Sequence, residues 1–245
     1  MRLAMLRLAL ALPLLAILAA CAGGPGQVAP VQAASAHLPQ LLPPDLAAQN
    51  FIAVARRMEP LIEAGCRARA AAAQNCDYRV VVDDRPGQAP NAFQTFESSG
   101  RPVIGFNLAL ISEARNQDEL AFVMAHEAAH HIAGHIPRKQ QDAMAGALIF
   151  GTLAAASGAD PTAIRSAQDF GATVGSRAKS KDYELEADRL GTVLTWNAGY
   201  DPLLGAAFFT RIPDPGRMIL GTHPANALRM DVVRQTVAEL RARGR

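Results

Sequence analysis

Residues 126–130 read His126-Glu127-Ala128-Ala129-His130, an HExxH run that ends a stretch of helix formers and apolar residues, Leu120 to Ala125. Two histidines four apart on a helix project from one face, about one turn apart along the axis. Their ring nitrogens can share one Zn²⁺. Glu127 lies beside them, where a carboxylate can take a proton from water at the metal. That constellation hydrolyses peptide bonds in zinc metalloproteases. HExxH also arises by chance on ordinary amphipathic helices, so a third ligand has to be found.

A catalytic zinc takes three protein ligands and leaves a fourth position open. His131 follows His130 directly and faces elsewhere. On a continuous helix His135 also points away from the His126/His130 face, as a polar residue near a helix C-terminus. The better candidate lies downstream in Tyr183-Glu184-Leu185-Glu186-Ala187-Asp188. Glu184 and Asp188 are four apart and share a helix face. Glu184 can complete a His-His-Glu set, and Asp188 can accept the second N–H of a ligating histidine and fix its tautomer. Glu186 points elsewhere and is a poor co-ligand. The other reading of these acids is a solvated face partnered by Arg189 and Lys181.

HExxH followed at a distance by ExxxD resembles the gluzincin zinc metalloproteases of the CAAX prenyl protease, HtpX-type and beta-barrel assembly-enhancing protease kind. Pro90-Asn91-Ala92-Phe93 resembles the family's NAF element. Gly105 to Leu110 and Asn116 to Ala121 resemble the segments leading into the zinc helix. Thr222-His223-Pro224 with Arg229 resembles its C-terminal His-Pro…Arg segment. The likeness runs from about Ala53 to Ala242. It implies one Zn²⁺ held by His126, His130 and Glu184, with Glu127 as general base and Asp188 behind a ligand. It also implies that His223 approaches the metal's open position. Alternatively His223 or Arg229 donates to the oxyanion formed on the scissile carbonyl.

The N-terminus carries Arg2 and Arg7, an apolar run from Leu8 to Ala20, and then Leu18-Ala19-Ala20-Cys21, which fits a bacterial lipobox. Residues 1–20 read as a lipoprotein signal peptide and Cys21 as the lipidated N-terminus. No Asp follows Cys21, which points to the periplasmic face of the outer membrane in a Gram-negative cell. Residues 21–45 are rich in Gly and Pro and read as a flexible linker; residues 46–245 form the folded domain. Cys66 and Cys76 are the remaining cysteines, an even pair that an exported chain can oxidise to a disulfide. The formal charge of +2 includes Arg2 and Arg7, so the mature chain is near neutral and no nucleic-acid partner is indicated.

Around the motifs, the pattern predicts a helix from Leu46 to Ala73 interrupted near Pro60, and strands at Tyr78–Asp83, Ala92–Glu97 and Pro102–Phe106. A short helix spans Asn107–Glu113, and the zinc helix runs from Glu119 to His135. Asp182–Asn197 carries the third ligand; one helix reaches Arg211 and another spans Pro224–Arg243. The fold class is α+β, a mostly helical zincin domain with a small antiparallel sheet. An exposed edge strand by the cleft would let an extended substrate add as a strand, with Asn91, Ala92 and Phe93 lining it. Ala143 to Gly158 is almost uncharged and reads as a buried helical hairpin, with membrane contact or a mobile flap over the active site as the alternatives.

These readings describe a zinc endopeptidase for misfolded or unassembled envelope proteins. Its partners would be protein or peptide substrates, the outer membrane through the lipid, and envelope assembly machinery. The alternative is a non-proteolytic periplasmic chaperone or assembly factor using the same cleft.

Overall fold

The computed structural model describes residues 41–69, 74–214, 221 and 223–244. The expected signal peptide and Cys21 lie outside the described residues. Helix α1 (Pro44–Arg69) buries Ala47, Phe51, Val54, Met58, Ile62 and Cys66 along one stripe, the spacing of a helix with one face in a core. It continues through Pro60 rather than breaking there. A proline inside a helix costs about 3 kcal/mol or more, chiefly through the hydrogen bond it removes. Here Pro60 and Arg56, whose carbonyl loses its partner, are both exposed, so the loss falls on the solvent side of the helix. Cys66 is disulfide-bonded to Cys76, which fastens the end of α1 to the segment entering the sheet.

Strands β1 (Arg79–Asp83), β2 (Ala92–Phe96) and β3 (Pro102–Asn107) form one sheet in the order β1-β3-β2. The sheet is mixed, not purely antiparallel: β1 pairs with β3 in parallel and β2 pairs with β3 antiparallel. After β1 the chain passes over the end of the sheet, runs back as β2 and returns between the two as β3. All six positions of β3 are buried, as befits a central strand covered on both faces. β2 is left as an edge. Asn107 N–H donates to Asn91 O at 3.0 Å and Glu97 N–H to Arg101 O at 2.9 Å. The antiparallel alternation then turns the main-chain groups of Ala92, Gln94 and Phe96 toward the free edge.

Asn107 ends the sheet and caps α2 (Leu108–Glu113). Its Oδ1 accepts from Leu110 N–H at 2.9 Å and from Asn91 N–H at 3.0 Å, and its Nδ2 donates to Ala89 O at 2.6 Å. One buried side chain thus holds the approach to β2.

Helix α3 (Gln117–Ile132) is buried on nearly every side, the signature of a helix at the centre of a body rather than on its surface. Asn116 caps it, accepting from Glu119 N–H at 2.9 Å. Glu119 receives both Arg211 nitrogens at 2.7 and 2.6 Å. The helix does not run to His135. Gly134 adopts φ 66°, a left-handed residue that ends helices and suits glycine. The chain reverses there, and α4 (His135–Ala156) begins.

Helices α4 and α5 (Pro161–Ala178) form a hairpin whose main chains touch. A Cβ at Gly146 would lie 2.0 Å from Gly171 O, and one at Gly175 would lie 2.1 Å from Asp142 O. Residues 143–158 are not the buried hairpin expected: they are mostly the outer part of the single helix α4, one arm of the pair with α5, and Met144, Leu148, Ile149 and Leu153 are 57–72% exposed. The contact is made through glycine, which leaves the larger apolar side chains outside. No helix among the described residues is long and apolar enough to cross a membrane.

Helix α6 (Ser180–Asn197) crosses α3 closely. A Cβ at Gly191 would stand 3.1 Å from both Cα and N of His126. Helix α7 (Pro202–Ala206), a 3-10 turn (Ala207–Thr210) and α8 (Asn226–Ala242) close the helical body, with Val233, Val237 and Leu240 of α8 buried. The architecture is α+β and mostly helical. Gly191→Ala should wedge α6 off α3 and cost about 1–3 kcal/mol, as overpacked cores do. Thermal denaturation measures this, and an unchanged midpoint would mean that the two helices yield freely.

Candidate metal centre and active-site cleft

Helix α3 presents His126 and His130 one turn apart, and α6 brings Glu184 opposite them. The two Nε2 atoms are 3.0 Å apart. Glu184 Oε2 lies 3.6 Å from His126 Nε2, and Oε1 lies 3.5 Å from His130 Nε2. Donors bonded to a tetrahedral zinc at about 2.0–2.1 Å stand roughly 3.3 Å from one another. Two imidazoles and one carboxylate at this spacing fit that ion without rearrangement. Among the described residues they are the group whose donor atoms converge for a metal, all within 4.8 Å.

The charges agree. Burial opposes a proton on His126, but hydrogen bonds to Asp188 and Glu184 outweigh it and push its pKa up to about 9. Burial also opposes charge on Glu184, yet His126 and His223 hold its carboxyl far below the usual range. Burial keeps His130 neutral, well below its ordinary value. Burial raises the Glu127 carboxyl above its ordinary value, the direction that makes a carboxylate a better base.

Asp188 is fully buried and receives His126 Nδ1–H at 3.0 Å. This leaves Nε2 of His126 for the metal. Arg229, from α8, donates Nε to Asp188 Oδ2 at 2.8 Å and Nη2 to Asp188 Oδ1 at 2.7 Å. Its guanidinium lies over the Phe209 ring, 3.7 Å from the centroid. Arg229 is thus engaged in holding Asp188. His223 Nδ1 stands 3.1 Å from Glu184 Oε2, on a side chain that is 57% exposed.

Residues 49–237 match the sequence profile of peptidase family M48. The chain belongs to that family. The putative beta-barrel assembly-enhancing protease of Vibrio cholerae serotype O1 is 32% identical over 151 residues, covering 55% of this chain and 30% of the relative. The beta-barrel assembly-enhancing protease of Escherichia coli K12 is 30% identical over 164 residues, covering 62% and 33% respectively. The M48 chain thus spans about a third of the length of these relatives. M48 peptidases are zinc metalloproteases, and His126, His130 and Glu184 form a candidate metal site of that kind.

The donor set of the M48 domain lies in a cleft of 740 Å³. Asn91, Ala92, Phe93 and Gln94 line one wall, and Phe208, Phe209 and Ile212 line another. Glu127, His223 and Arg229 also border it. The edge strand and the metal ligands therefore face the same space.

Sequence reasoning missed His135 and Glu186. His135 is not turned away from the zinc histidines: it is 1% exposed and its Nδ1 lies 2.8 Å from His130 Nδ1. Glu186 is outside the converging donor group and lies 3.2 Å from His135 Nε2. The signal was Gly134, which stops a helix and lets the next residue fold back. His131 does face elsewhere, placing Nε2 2.7 Å from Asn75 O.

Proposed function

We propose that this M48 domain is an exported, lipid-anchored endopeptidase that cuts misfolded or unassembled proteins at the periplasmic face of a bacterial outer membrane. The observation that carries the hydrolytic part is the convergence of His126, His130, Glu184 and Glu127 on a cleft edged by β2. The lipobox ending in Cys21 supports the anchor, with residues 1–20 as leader and 21–45 as tether. The Cys66–Cys76 disulfide suits an oxidising compartment. The relatives' name, beta-barrel assembly-enhancing protease, supports envelope proteins as clients and assembly machinery as a partner. A non-proteolytic chaperone is not favoured, because every catalytic position is filled.

Zinc in this donor set supplies a Lewis acid that acidifies water and polarises a carbonyl. Glu127 takes a proton from the attacking water and passes it to the departing amine. Asp188, held by Arg229, keeps His126 in the tautomer that presents Nε2. The substrate pairs as an added strand with the outward main-chain groups of Ala92 and Gln94, which gives affinity with little demand on sequence. Gln94→Pro should raise KM for an unfolded protein substrate about 2–10-fold, the worth of one hydrogen bond. It should leave zinc content intact, since the lost N–H faces the free edge. A KM equal to that of Gln94→Ala would remove the strand-addition step.

His223 is the exposed member of the set, and its imidazole bonds a ligand carboxylate. It acts as a restraint on the resting site. His223→Ala should digest casein faster than wild type, whereas an inactive variant would make His223 part of the chemistry.

Casein digestion with and without phenanthroline, followed by zinc restoration, tests the central reading. Cleavage should stop and return. Cleavage that persists without metal would rule out metallocatalysis, and failure to cut any unfolded protein would restore the chaperone alternative. Cys21→Ser should move the protein from the membrane fraction to the soluble periplasm.

A further inference from the structure

The two zinc histidines are held differently. His126 donates directly to a carboxylate, Asp188. Behind His130 stands another imidazole. His135 Nδ1 lies 2.8 Å from His130 Nδ1, and His135 Nε2 lies 3.2 Å from Glu186 Oε2. Arg138 Nη1 donates to the same Glu186 oxygen at 2.8 Å. The His135 ring is 1% exposed and stacks on Tyr183 at 4.8 Å and 25°. Tyr183 immediately precedes the ligand Glu184.

We propose that His135, with Glu186 behind it, is a positioning residue for the metal: it accepts the Nδ1 proton of His130 and so fixes the ring of His130 with Nε2 toward Glu184 and His126. The direction of the chain follows from counting protons. Between two neutral rings that meet through Nδ1, one donates and the other accepts. If His135 donated, the proton of His130 would sit on Nε2 and block the metal. His135 Nε2 would then turn a lone pair on the Glu186 carboxylate, acceptor against acceptor. In the opposite direction every partner matches: His130 Nδ1–H to His135 Nδ1, then His135 Nε2–H to Glu186, which also receives Arg138. Hydrogen-bond partners behind a ligating histidine set its tautomer and angle, and their loss typically costs about 10–100-fold in metal affinity. The position is reached only because Gly134 reverses the chain between the two histidines.

The inference rests on the reading that His126, His130 and Glu184 hold zinc. His135→Phe keeps a ring against Tyr183 and removes the acceptor. His135→Asn keeps an acceptor, Oδ1, where Nδ1 stood. Zinc release to a chromophoric chelator and the visible spectrum of the Co²⁺-substituted protein are the readouts, with metal-free thermal midpoints recorded for each. His135→Phe should bind zinc about 10–100-fold more weakly with an altered cobalt spectrum. His135→Asn should recover most of both. The positioning role is overturned if His135→Phe holds zinc like wild type with an unchanged spectrum, or if His135→Asn fails as badly as His135→Phe. Wild-type protein that takes up no zinc at all overturns the metal site itself, a separate and earlier failure.

Discussion

Purified Glu127→Gln protein should carry a full complement of zinc and cleave casein about 10³-fold more slowly than wild type, within the range that general-base groups contribute. Glu127 sits in α3 between the two zinc histidines and borders the cleft, but it is not one of the converging donors. Glutamine has the same shape and cannot take a proton. The substitution therefore separates metal binding from proton transfer. Burial raises the Glu127 carboxyl, so the wild-type group accepts a proton more readily than an ordinary glutamate and still returns it. Metal analysis and turnover on the same preparation decide the matter. A variant that keeps both zinc and rate removes Glu127 from the mechanism.

Arg229→Met should be the most damaging change away from the metal. Asp188 is 0% exposed at its side chain and Arg229 7%, and the pair shares two short hydrogen bonds. Removing one partner of a buried ion pair costs about 3–5 kcal/mol, because the other charge stays buried without it. For a domain of this size, that lowers the melting midpoint by about 6–20 °C. Zinc should also be held less firmly, since Asp188 orients His126. Combining Arg229→Met with Asp188→Asn should cost less than the two changes summed, because both remove the same interaction. A single variant melting within about 1 °C of wild type would show that the pair contributes little.

The metal site was largely legible because helical spacing places residues four apart on one face. His126 with His130, and Glu184 with Asp188, needed only that rule. What joins the two helices was not legible, and there the reading went wrong. Treating residues 119–135 as one helix sent His135 to the wrong side, whereas the left-handed Gly134 brings it back onto His130. Glu186 was set aside as a ligand and its neighbour His135 was missed, since that residue belongs to another element. The strands of the sheet were legible from β-branched runs, but the parallel pairing of β1 with β3 depends on where β2 passes. Apolar periodicity also failed in α4. Apolar residues surround that helix, and the close approach at Gly146 and Gly171 decides which of them remain in water.

The α4–α5 hairpin leaves α3 just after His130 and rejoins the chain just before Glu184. Arg138 to Glu186 and Lys179 to Asp142 tie it at its root. It is therefore a detachable limb between two fixed sockets. Its outer turns can be shortened, extended or exchanged for another pair of helices without shifting the ion's cradle, so that what this limb touches can diverge while the cutting apparatus stays the same.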